Sequence, residues 1–171
     1  VERGVTGPDL RRAAIRVLEL CRARKLLVAT AESCTGGLVA AALTEIAGSS
    51  DVVDCGLVTY SNEAKQKLLG VPAAILTRHG AVSPETALAM AEGALQRSQA
   101  DIAVSITGIA GPGGGSKQKP VGLVYFAAAS RDGRQLARRR RFGKIGRSRV
   151  RRRSVAVALA LLELMARPTK G

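Results

Sequence analysis

"LLVATAESCTGGLVAAAL", residues Leu26 to Leu43, passes from an apolar run to an alanine-rich stretch through a loop of small and polar residues. Leu26 to Thr30 reads as a short buried strand. Leu38, Ala41, Ala42 and Ile46 then recur on one helix face, which Gly48 stops. The reading is strand, loop, helix, and strands and helices go on alternating downstream of it.

Upstream, Asp9 is the expected N-cap of an amphipathic helix carrying Leu10, Ala13, Ala14, Val17, Leu18 and Cys21, ending near Arg24. Downstream, Val52 to Ser61 reads as a strand and Asn62 as the cap of a helix that includes Lys65. A short helical turn follows from Pro72 to His79. Ser83, Pro84 and Glu85 then open a longer helix running to about Ser98. Asp101 to Thr107 is a strand leading into the glycine-dense "GIAGPGGGSKQKP". Val121 to Ala129 and Gln135 to Phe142 form a hairpin around "RDG", and a last helix spans about Arg149 to Ala166. Such alternation predicts an α/β fold: a three-layer α/β/α sandwich with a mixed, mostly parallel sheet and a C-terminal hairpin. Ligands of such sheets lie beyond the carboxyl ends of the strands, where "AESCTGG", "YSNEAK" and "TGIAGPGGG" are expected to converge.

The 171 residues are 46% hydrophobic, enough for one core, so residues 1–171 are expected to form a single domain. No apolar run approaches the ~20 residues of a membrane span, and no secretory pattern is seen, so a cytoplasmic protein without membrane attachment is the expectation. Cys21, Cys34 and Cys55 form no CxxC pair, and with the single His79 they make a poor zinc set. Neither a metal nor a cofactor is expected.

Ser33, Cys34 and Thr35 stand before a helix start, where backbone N–H groups attract anions or a developing oxyanion; a capped helix with tightly packed glycines explains the same residues. No Gly-x-Ser-x-Gly elbow is present. His79, before "GAV", reads as a structural or surface residue. Lys65 is the next candidate base. Lowering its pKa from about 10.4 to about 7 costs on the order of 4 to 5 kcal/mol, which burial or a neighbouring arginine can impose. Spacing alone favours a solvated helix lysine. Cys34 is a rival nucleophile, ranked below Ser33 because small cysteines beside a sheet are commonly buried and inert. The glycines from Gly108 to Gly115 match no nucleotide-loop pattern, yet they let backbone approach a ligand.

Taken together, "AESCTGG", "VTYSNEAK", "HGAVSPET", "VSITGIAGPGGGSKQKPVGLVYFA" and the closing arginine helix resemble the C-terminal domain of the CinA (competence/damage-inducible) family, from about Arg11 to Leu164. Stand-alone members of that family are nicotinamide mononucleotide deamidases (nicotinamide-nucleotide amidases). The resemblance implies hydrolysis of the carboxamide of nicotinamide mononucleotide to nicotinate mononucleotide and ammonia, in pyridine-nucleotide salvage. It implies Ser33 as nucleophile, Lys65 as general base, Tyr60 and Thr107 as supporting catalytic residues, and Arg147 as a substrate-binding arginine. Thr35 and Gly36 would serve the oxyanion, and Gly108 and Gly111 would approach the ribose or phosphate. A homo-oligomer is also implied. Where the family has Phe-x-Gly-Asp-Arg, this chain reads "FGKIGRSRVR": the Asp is missing, and Arg149 competes with Arg147 for the arginine's place. Longer members carry an N-terminal domain similar to molybdopterin-binding proteins, to which nothing in these residues corresponds.

The net charge of +14 is concentrated between Arg138 and Arg153, where nine arginines and one lysine fall among sixteen residues. A non-catalytic nucleotide- or nucleic-acid-binding protein using this block is the rival reading. Few aromatics are available to stack bases, and a strand would split its arginines between two faces. A solvated basic face lending one or two arginines to the mononucleotide phosphate is the preferred reading.

Overall fold

The computed structural model describes residues 6–168. Helix α1 (Gly7–Ala23) begins at Thr6, whose hydroxyl accepts from the Asp9 N–H while the Asp9 carboxylate accepts from the Thr6 N–H at 3.0 Å. Thr6 is therefore the N-cap, and Asp9 is the return half of a capping box. Strand β1 (Val28–Glu32) follows, two residues later than its apolar run suggested, with Leu26 and Leu27 connecting the turn at Arg24 and Lys25 to the strand. Next come α2 (Leu38–Thr44), β2 (Val53–Val58) and α3 (Asn62–Leu69). The cap of α3 is Ser61, through its hydroxyl to the Ala64 N–H, with Asn62 already helical. Helices α4 (Ala73–His79) and α5 (Pro84–Gln96) start where Pro72 and Ser83 mark them. Strands β3 (Ile102–Gly108), β4 (Leu123–Ser130) and β5 (Gln135–Arg141) lead to α6 (Arg147–Ala166), which starts two residues before the expected Arg149.

The sheet order is β2-β1-β3-β4-β5. The first two pairings are parallel and the last two antiparallel, so the bonded pairs divide evenly although only β4 runs against the other four strands. The two faces differ in bulk. Val28, Ile102, Val104, Ile106, Val124 and Phe126 pack beneath α1, α2 and α6. Ala29, Ala31, Ala103, Ala127 and Ala129 meet α5, which answers with Ala87, Met90, Ala91 and Ala94. Small residues on both sides bring that helix close to the sheet. The same economy of volume recurs one layer out. A side chain at Gly93 in α5 would place its Cβ 2.1 Å from the Leu69 carbonyl oxygen, so the end of α3 rests directly on α5. Among the described residues, no helix is long and apolar enough to cross a membrane.

Candidate active site

The carboxyl ends of β2, β1 and β3 point the same way, and the loops after them meet. Past the last residue of β1, the Ser33 N–H donates to the Ile106 carbonyl at 2.9 Å. Beside it, the Thr59 N–H donates to the Glu32 carbonyl at 2.8 Å. These two bonds extend the sheet by one residue and hold Ser33 rigidly at its edge.

The loop beyond differs from its sequence reading. Gly36 and Gly37 precede α2, both with left-handed φ (+60° and +93°), and Gly37 is its N-cap. The start of that helix is closed to anions, because the fully buried Glu32 carboxylate accepts from the N–H groups of Gly37 (3.1 Å), Val39 (3.1 Å) and Ala40 (2.9 Å). The Gly36 N–H is also spent, on the Ser33 carbonyl at 3.0 Å. Among the described residues, the backbone amides of Cys34 and Thr35 donate to no other backbone group. Replacing Glu32 by alanine strands three backbone donors; the expected cost is about 3 kcal/mol, read as a lower denaturant midpoint with unchanged slope.

Lys65 lies on the first turns of α3 and is 1% exposed. Its Nζ is 2.9 Å from the Thr59 carbonyl oxygen, 3.4 Å from the Tyr60 carbonyl oxygen and 3.1 Å from Ser33 Oγ. Among the described residues, no carboxylate lies within 4 Å of it. Burial holds its pKa below the ordinary lysine value. Two of the three neighbours are carbonyls, which only accept. In the neutral amine they take both N–H bonds, and the lone pair is left facing the Ser33 hydroxyl. Cys34 is adjacent, but burial pushes its thiol up to about 12, so it carries almost no thiolate at neutral pH.

A cavity of about 270 Å³ opens on this pair. It brings together Ser33, Tyr60, Lys65, Thr107, Gly108, Gly111 and Arg147, and it is not lined by Thr35 or Gly36. The oxyanion role expected of Gly36 fails for the reason above: its donor is occupied and its Cα faces Arg151 instead. Thr107 does not touch the lysine. Its hydroxyl donates to the Ala81 carbonyl at 2.6 Å, leaving only lone pairs for a ligand. Arg147 donates from Nη1 to the Gly111 carbonyl at 2.9 Å and from Nη2 to the Tyr60 hydroxyl at 2.8 Å, tying the glycine loop to the exposed Tyr60 across the mouth. Arg149 does not line the cavity. Ala81 and Val82, between α4 and α5, form part of the wall that sequence reading missed. His79 lies outside it, with Nδ1 3.5 Å from Glu85 and its carbonyl held by Lys119.

The arginine block is dispersed rather than continuous. On the edge strand β5, Arg138 and Arg140 stand opposite Phe126 and Val124, and Arg139 and Arg141 opposite Tyr125 and Leu123, so the four divide between the two faces of the sheet. Arg147 serves the cavity, and Arg151 reaches the Thr35 carbonyl at 2.8 Å.

The chain resembles known proteins over nearly all of its described length. Residues 11–166 match the CinA C-terminal domain. Nicotinamide-nucleotide amidohydrolase PncC of Escherichia coli K12 is 49% identical over 92% of this chain and 95% of its own length. A putative competence-damage inducible protein of Caldicellulosiruptor bescii is 60% identical over 68% of this chain, and a CinA-like protein of Mycobacterium marinum is 58% identical over 79%. The matched region spans only 28% and 32% of those two longer relatives. The crystal structure of a competence/damage inducible protein from Agrobacterium tumefaciens superposes with a TM-score of 0.92 at 51% identity, covering 98% of this chain and all of that one. With its sheet order, its loops and nearly its whole described length accounted for in this way, the chain belongs to the CinA C-terminal domain family.

Proposed function

We propose that this protein hydrolyses the carboxamide of nicotinamide mononucleotide, releasing ammonia and nicotinate mononucleotide through a Ser33/Lys65 pair. The observation that carries the reading is the placement of Lys65 Nζ, 3.1 Å from Ser33 Oγ, with both other directions capped by carbonyl oxygens. The likeness to PncC supplies the substrate.

An amide is a weak electrophile with a poor leaving group, so the route needs an activated hydroxyl, an oxyanion site and a proton for the departing nitrogen. Lys65 takes the Ser33 proton as Oγ bonds to the carboxamide carbon. The oxyanion is held by the backbone amide of Cys34, which lines the cavity beside Ser33 and takes over what the sequence assigned to Thr35 and Gly36. Thr107 Oγ1, with its proton committed to Ala81, accepts from the carboxamide N–H and orients the group. The carbon–nitrogen bond then breaks as Lys65 returns the proton to ammonia, leaving an ester on Ser33. Water, deprotonated by Lys65, attacks that ester and frees the carboxylate.

Tyr60 is the one aromatic side chain in the cavity wall and offers a face to the pyridine ring. Arg147 uses two of its five donors within the protein and has the rest for the ribose phosphate, beside the backbone of Gly108 and Gly111. The test is ammonia release by the purified chain. Turnover is expected on nicotinamide mononucleotide, with kcat/KM at least about 100-fold lower on free nicotinamide, because the remote phosphate contacts are then lost. Absence of turnover on the mononucleotide by a folded chain refutes the reading.

A further inference from the structure

We propose that the protein carries a second ligand site, for a small phosphorylated molecule, in the cleft between α1, α2 and the start of α6. The cleft measures about 360 Å³, within the range of small-molecule sites, and shares no lining residue with the cavity at Ser33. Leu10, Leu38 and Val155 give its lining an apolar part. Arg11, Ser148, Arg151 and Arg152 supply hydrogen-bond donors to the same lining.

Ser148, Arg151, Arg152 and Val155 fall at i, i+3, i+4 and i+7, on a single face of α6. Val155 on that face is 1% exposed and belongs to the core, so apolar residues would be the ordinary choice one turn earlier. Arginines stand there instead. Among the described residues, none of Arg11, Arg151 and Arg152 lies within 4 Å of a carboxylate, Glu45 on the cleft rim included.

Arg151 is the most telling. It is half-buried, yet one hydrogen bond engages its guanidinium, from Nη2 to the Thr35 carbonyl, and its Nε is buried with no acceptor. A desolvated cation left uncompensated is costly, and phosphate oxygens meet the planar guanidinium in charge-assisted pairs. The phosphate sits among the three arginines, with the organic part of the ligand against Leu10, Leu38 and Val155. Because the same guanidinium holds Thr35, the cleft abuts the loop that carries Ser33.

The probe is inorganic pyrophosphate, titrated calorimetrically into the full chain at about 150 mM salt, where diffuse surface attraction is screened. Saturable binding is expected, weakened at least about tenfold in the double variant Arg11→Ala/Arg152→Ala, since each loses a charge-assisted contact. Arg138→Ala/Arg140→Ala removes the same charge from the edge strand and is expected to bind within about twofold of the parent. Arg147→Ala is expected to do the same. Ala41→Trp, at an exposed position on the cleft wall, obstructs the site without altering charge and should weaken the same pyrophosphate binding at least about tenfold; the cleft variants are checked for folding by thermal melting. The proposal is overturned by absence of saturable binding, by equal losses in the two double variants, or by a loss that follows Arg147 alone. None of these outcomes depends on ammonia release, so the proposed amidase activity stands or falls separately.

Discussion

Alanine at position 33 is expected to cut ammonia release from nicotinamide mononucleotide by about 10,000-fold or more while leaving the chain folded. Ser33 is 8% exposed and accepts or donates through Oγ to a single neighbour, Lys65, so its removal deletes the attacking atom and little packing. Substrate affinity should change by no more than a few-fold, because Tyr60, Thr107 and Arg147 remain. In the parent enzyme, hydroxylamine added during turnover should divert an ester on Ser33 to the hydroxamate, and the variant should form none. Cys34 provides the counter-test. With its thiol pushed up to about 12 by burial, Cys34→Ala should keep activity within a few-fold. An inactive Cys34→Ala beside an active Ser33→Ala would transfer the nucleophile to the sulfur.

Lys65→Met should lower turnover by about 1,000- to 10,000-fold, the range of general acid–base catalysis, and should also change how stability depends on pH. Burial holds the Lys65 pKa below that of the unfolded chain. Between the folded value and the unfolded value of 10.5, the unfolded chain therefore binds more protons, and stability rises with pH across that window. Below the folded value the full penalty of burying the amine is present; above 10.5 it has vanished. Methionine has nothing to titrate. The melting temperature of the variant relative to the parent should accordingly be most favourable at low pH and decline as pH rises toward that limit. Parental kcat/KM should climb with pH through the depressed lysine value, where the lone pair becomes available to Ser33. A pH-independent difference in melting temperature, or an activity profile without this acidic limb, would show that Lys65 is not the buried base.

Much of this architecture could be read from residue spacing because strands and helices alternate with different periods, and because parallel strands bring their following loops to one edge. Ser33, Lys65 and Thr107 each lie just past or near the end of a predicted strand, and the structure lines one cavity with all three. What escaped is chemistry decided by contacts remote in sequence. Glu32 looked like one polar member of a loop, since nothing local says that its side chain will turn back onto the donors of Gly37, Val39 and Ala40. That carboxylate is why the helix start is occupied, which leaves Cys34 as the residue of this loop whose backbone meets the cavity beside Ser33. Arg147 and Arg149 are separable only once the start of α6 is known, because a shift of two residues turns a side chain through more than half a helical turn. The wall at Ala81 and Val82 has no distinguishing side chain at all. It exists because α4 and α5 hold that short connection over the cavity.

The seat of the Leu69 carbonyl on Gly93 reaches further than its layer suggests. Helix α3 carries the amine at one end and rests bare backbone on α5 at the other, with no flexible side chain between them to absorb a change. The spacing of the reactive pair is thus inherited from a seam that no substrate meets. A side chain at Gly93 is therefore expected to displace α3 and, with it, the distance between Lys65 Nζ and Ser33 Oγ, although it touches neither.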